Sequence, residues 1–177
     1  MSTLFAGVRR GDVALATLLT ALGVLLMVEN INSTDHSTRV DSHSWLLVPV
    51  FAAATVPILW RRRNLFAVYA ATAAALAVHT VAFDWVVRCG AGLPLAFALS
   101  YAAGRLERGR HAVIGLIVTV GLQALVLVRD SAAGLGILPV TAGISVVFWG
   151  IGIWLQRRSQ PVVIVDTGAP VAVGTRG

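Results

Sequence analysis

Six stretches dominated by Ala, Val, Leu, Ile and Phe alternate with short polar breaks along the chain, at about residues 12–30, 44–60, 65–83, 86–104, 111–128 and 134–155. A helix rises 1.5 Å per residue, so a hydrocarbon core about 30 Å thick takes roughly 20 residues, and about 17 suffice where the flanks adjust. Backbone polar groups in lipid must bond within their own segment or within a closed barrel, and these stretches lack the ten-residue alternation of barrel strands. The pattern therefore predicts an all-α, polytopic membrane helix bundle with six transmembrane helices. Residues 1–158 form one integral membrane domain in this reading. Residues 159–177, with Pro161, Gly168, Pro170, Gly174 and Gly177 and no helical period, are expected to be a disordered cytoplasmic tail.

Composition supports the pattern. Of the 177 residues, 57% are hydrophobic and 12% charged, with a mean hydropathy of +0.82, which excludes an ordinary water-soluble domain. All 14 basic residues are arginine, and they gather at alternate breaks. Arginine is retained on the cytoplasmic side of membrane segments, so this alternation assigns direction. With both termini cytoplasmic, the inner side carries eleven arginines and three acids, +8, and the outer side three arginines and five acids, −2, together the formal +6. The weakest break is Asp84-Trp85-Val86-Val87-Arg88. Merging the third and fourth stretches across it would place Arg105, Arg108 and Arg110 outside, so the break is kept. The first stretch follows Arg9 and Arg10 but lacks a small-x-small cleavage pattern, so it is expected to be a retained helix. The expected location is the cell membrane, multi-pass, with the lipid bilayer as first partner. The pI of 11.2 is explained by the loop arginines, and no nucleic-acid partner is expected. Trp45, Trp60, Trp85 and Trp154 fall near predicted ends, as interfacial anchors do.

Candidate chemistry is sparse. The outer loop between the first two helices gathers Asp35, His36, Asp41 and His43, whose side chains suit proton or metal sensing, although their spacing matches no zinc signature. His79 and Gln123 are intramembrane polar groups, expected chiefly to bond neighbouring helices. Arg61, Arg62, Arg63, Arg105, Arg108 and Arg110 mark the cytoplasmic loops. Gly136, Gly143 and Gly150 recur every seven residues, with Ser145 and Gly152 at the same interval; such a stripe permits close helix packing, first within the chain and alternatively in a homodimer. Cys89 is the single cysteine, so neither an internal disulfide nor a thiolate metal cluster is expected, and no cofactor is. No phosphate loop, serine elbow or paired-histidine motif is present, and no enzyme activity is expected.

The order of parts carries a resemblance. Arg9-Arg10-Gly11-Asp12 leads into the first helix, Pro57-Ile58-Leu59-Trp60-Arg61-Arg62-Arg63 ends the second, and Ala/Val/Leu-rich helices with a basic loop follow. Residues 7–158 resemble the N-terminal membrane-sensor region of actinobacterial two-component histidine kinases. The histidine, asparagine and glycine boxes of the kinase are not found, so the resemblance implies a stand-alone sensor or input module. Its partner would be a histidine kinase or another membrane protein. A small oligomeric permease and a structural membrane subunit are the alternatives.

Overall fold

The computed structural model describes residues 7–33 and 39–159. Six α-helices follow in order: α1 (Arg10–Asn32), α2 (Leu47–Thr55), α3 (Leu65–Phe83), α4 (Cys89–Leu106), α5 (Arg110–Leu127) and α6 (Leu138–Arg158). Among the described residues there is no strand, only an isolated parallel bridge between Val86 and Asp130. The tail beyond residue 159, and Asp35 and His36 of the first loop, lie outside the described residues.

Each apolar stretch has become one helix, and the break at Asp84–Arg88 is present. The second stretch departs from a uniform span. α2 has nine residues and passes at Val56–Trp60 into a 3-10 helix. Pro57 stands at the start of that segment, where its missing N–H and fixed φ favour the change of winding. The combined element rises about 23 Å, short of the hydrocarbon thickness. Four segments, α1, α3, α5 and Leu135–Arg158, are long and apolar enough to cross a membrane, with mean hydropathies of 1.8 to 2.1. The expected count of six comparable spans is thus reached by four on length and apolarity alone.

α4 falls outside those four for a structural reason. It is the central helix, packed on α6, α5 and α1, and it buries Ala91, Gly92, Ala96, Ser100, Ala103 and Gly104 among others. Surrounded by protein, it needs small residues for close approach more than bulky apolar ones. A Cβ on Gly104 would come 2.1 Å from the Trp149 carbonyl oxygen, and one on Gly152 would come 2.5 Å from that of Tyr101. The α4–α6 crossing therefore requires glycine on both sides.

The perimeter is apolar. Val81 is 79% exposed, Val140 66% and Leu18 65%. An apolar rim of this extent would be a severe liability in water and suits contact with lipid tails. The helix ends carry their own locks. Asn64 caps α3, its side-chain oxygen accepting from the Ala67 amide at 3.0 Å. Trp154 is half-exposed, and the Arg158 guanidinium lies 3.8 Å from its ring centroid.

Candidate functional site

Two polar nodes sit at opposite ends of the bundle. At the end bearing residues 9 and 61–63, Asp12 in the first turn of α1 accepts from the Arg9 backbone N–H at 3.1 Å. Its carboxylate also binds Arg61 Nη2 at 2.7 Å and Arg62 Nε at 2.9 Å. The Asp12 side chain is fully buried, so the arginines supply the partners that an interior carboxylate requires. The basic turn that marks topology in the sequence is thus also an ion-paired clamp on α1.

At the opposite end Arg88, the residue preceding α4, has zero exposure. Its Nε donates to His79 Nδ1 at 3.0 Å, one terminal nitrogen donates to the Arg129 carbonyl at 2.7 Å, and the other to the Asp84 carbonyl at 2.5 Å and the His79 carbonyl at 3.4 Å. The Asp130 carboxylate accepts from the backbone amides of Arg88 and Cys89, both at 2.6 Å, and from those of Ala132 and Ala133. A carboxylate on two amides at the start of α4 is favoured by the helix dipole as well as by hydrogen bonding. Burial pulls the Arg88 pKa down to about 10, with Asp130 and Asp84 opposing the fall, so the side chain stays protonated at neutral pH.

Asp84 pays locally for this geometry. Its φ of 50° is the only positive value at a non-glycine residue among those described. Such a conformation costs on the order of 1–3 kcal/mol and persists where neighbours over-determine it. Here the Arg88 guanidinium holds the carbonyl, and Arg129 holds the carboxylate at 3.1 Å.

The first loop is fastened to this node. Asn30, near the end of α1, donates to the Val87 carbonyl at 2.8 Å and accepts from the Val87 amide at 3.0 Å. The Asp41 amide donates to the Trp85 carbonyl at 2.8 Å. Arg39 binds the Asp41 carboxylate at 2.8 Å and lies over the Trp85 ring at 5.5 Å. That hydrogen bond holds the Asp41 carboxyl below its ordinary range. His43 Nδ1 lies 3.0 Å from the carbonyl oxygens of both Asn30 and Ile31. Of the four candidate sensing residues, then, Asp41 and His43 anchor the loop to different partners. Among the described residues no group of three or more His, Cys, Asp or Glu is arranged to hold a metal ion.

The intramembrane polar groups are bonded between helices. His79 is fully buried, receives Arg88 on Nδ1 and meets Phe51 and Phe83 edge-on at 5.4 and 4.9 Å. Gln123 of α5 donates to Ser145 Oγ of α6 at 2.7 Å and accepts from the Thr141 hydroxyl at 3.3 Å. Of the two contacts expected of the glycine stripe, within the chain or in a homodimer, the one within the chain is not made. A Cβ on Gly136, Gly143 or Gly150 meets nothing within 4 Å, so these glycines do not pack within the chain. Ser145 and Gly152, the second pair, occupy the buried face instead. Of the loop arginines, Arg105 donates to the Ser159 hydroxyl at 2.9 Å, while Arg63, Arg108 and Arg110 are exposed.

Arg88, Asp130, Asn30 and Asp12 are the site residues that sequence reasoning misses. The topology rule counts Arg88 and Asp130 as outer-loop charges and Asp12 as an inner one. The available signal was an arginine in a five-residue break, too short to keep its side chain in water, nine residues after a buried histidine. No protein-family model, curated protein or solved structure matches the chain.

Proposed function

We propose that the chain is a six-span protein of the cell membrane with both termini cytoplasmic, working as a non-catalytic signal-input module for a membrane or cytoplasmic partner. The single observation that carries the reading is the placement of α1. It is tied by Asp12 to Arg61 and Arg62 at the basic end and by Asn30 to Val87 at the other. These two contacts are 18 residues apart on one helix, about 27 Å at 1.5 Å per residue. A helix held at both ends converts a displacement of the outer loop into a displacement of the arginine turn.

The mechanism is a shift between two packings of the bundle. The loop residues Arg39, Asp41 and His43 receive the input, because they hold the α3–α4 turn and the end of α1. The Arg88 node gathers that turn and the α5–α6 turn into one unit. α1 passes the movement to Arg61–Arg63, and the exposed Arg63, Arg108 and Arg110 present positive charge to a partner or to anionic lipid. The charge balance of +8 inside and −2 outside supports the orientation, and the resemblance to histidine-kinase sensor regions supports the class of partner.

Crosslinking in native membranes followed by affinity purification of the tagged full-length protein tests this reading. A protein carrying histidine-kinase or response-regulator domains should be enriched over an untagged control, with a lower yield for Arg88→Met. Enrichment of no protein over the control would overturn it.

A further inference from the structure

The basic end holds two cavities that share residues. A groove of about 610 Å³ runs between α1, α4 and α6, walled by Leu15, Leu18, Phe97, Ala98 and Phe148 among others. Arg61 and Tyr101 also line it, and both line a second cavity of about 100 Å³ with Arg9, Arg62 and Arg105. The groove is apolar and the second cavity is basic. Four arginines line the small cavity, and Asp12 pairs with two of them, Arg61 and Arg62, while Arg9 meets it only through its backbone N–H. The Tyr101 hydroxyl has no hydrogen-bond partner among the described residues.

From these contiguous cavities we infer that the chain binds an anionic phospholipid, its phosphate among Arg9, Arg61 and Arg105 and one acyl chain in the α1–α4–α6 groove. Charge complementarity selects the headgroup. With Asp12 paired to Arg61 and Arg62 alone, the four lining arginines keep a positive surplus that a phosphate oxygen set matches, and arginine offers planar paired donors to it. Groove length selects the tail. Gly11 to Leu18 on α1 covers roughly 11 Å, comparable with one leaflet of a hydrocarbon core about 30 Å thick. The groove also starts at the arginines and runs toward the bundle middle, as a lipid chain descends from its headgroup. A surface of loop arginines without the groove would attract anionic lipid only diffusely. The inference requires membrane insertion but not the sensor function.

Native mass spectrometry of the detergent-solubilised full-length protein, titrated with phosphatidylglycerol, phosphatidylcholine of the same chains, or inorganic phosphate, tests the site. Phosphatidylglycerol should be retained at least tenfold more tightly than phosphatidylcholine. Arg9→Gln with Arg105→Gln should weaken its retention by roughly 25-fold, about fivefold per arginine. Gly11 lines the groove, and a Cβ built on it meets nothing within 4 Å, so Gly11→Leu adds a branched side chain at the groove wall from a position with open space. It should weaken phosphatidylglycerol while leaving thermal unfolding unchanged. Equal retention of the two lipids by the wild-type protein would overturn the site whatever the variants do. Inorganic phosphate binding as tightly as phosphatidylglycerol, with Gly11→Leu indifferent, would assign a soluble anion instead and overturn the lipid.

Discussion

Arg88→Met removes a guanidinium while keeping much of its apolar length. Three carbonyl or ring acceptors at 2.5 to 3.0 Å then lose their donor, those of Asp84, Arg129 and His79. The amide contacts of Arg88 and Cys89 to Asp130 do not depend on the side chain and should survive. The buried His79 acceptor costs about 1–3 kcal/mol when abandoned, and the Asp84 and Arg129 carbonyls, in part-buried bonds, cost less. The arginine no longer has to be desolvated, which returns part of the loss, and removing one member of a buried charge network typically costs about 3–5 kcal/mol in sum. The expected destabilisation is about 3 kcal/mol. Reversible unfolding in mixed detergent micelles, followed by helical circular dichroism, measures it. Arg88→Lys should lie between, since an ammonium keeps the charge but cannot reach the same acceptors as a planar fork. Arg108→Gln, at an exposed position, should stay within about 0.5 kcal/mol of wild type. A double-mutant cycle of Arg88→Met with His79→Leu should give a coupling of at least about 1 kcal/mol. An Arg88→Met protein as stable as wild type, with no coupling to His79, would refute the node.

Gly104→Ala should destabilise the bundle by about 2–3 kcal/mol, because its Cβ would meet the Trp149 carbonyl at 2.1 Å and force α4 from α6. Gly143→Ala should be neutral or slightly stabilising on the same unfolding curve. Gln123→Leu should cost about 1 kcal/mol by cutting the α5–α6 hydrogen bonds to Ser145 and Thr141. The depressed carboxyl of Asp41 contributes stability that is present above its ordinary value of 3.8 and lost as pH falls through its lower folded value. Hydrogen exchange at the Asp41 amide, bonded to the Trp85 carbonyl, should therefore show unchanged protection, corrected for intrinsic rates, between pH 7 and 5, and lower protection only once pH falls below the ordinary carboxyl value of 3.8.

The helices are legible in the sequence because membrane burial imposes long apolar runs whatever the tertiary arrangement. α3 occupies the expected residues 65–83 without adjustment. Span quality is less legible. The shortening of the second helix depends on winding at Pro57, and the modest apolarity of α4 follows from its central position, which only packing decides. Gln123 behaves as its depth suggests, because a lone amide in an apolar helix must find a neighbour. Arg88 is illegible for the opposite reason. Its burial depends on three turns meeting, from segments around residues 41, 84 and 130, and the loop rule treats every arginine outside a span as solvated. The glycines of α6 show the same limit, since a period of seven reveals a stripe but not which of two stripes faces the bundle.

The orientation of the bundle is tested most directly by labelling single cysteines, Asn32→Cys and Asn64→Cys in a Cys89→Ser background, with a membrane-impermeant thiol reagent. Both native side chains are exposed, at opposite ends of the structure. In intact cells the cysteine at position 32 should label and the one at 64 should label only after permeabilisation. Labelling at 64 in intact cells, with protection at 32, would contradict the orientation and with it the assignment of the Arg39–His43 loop as the input.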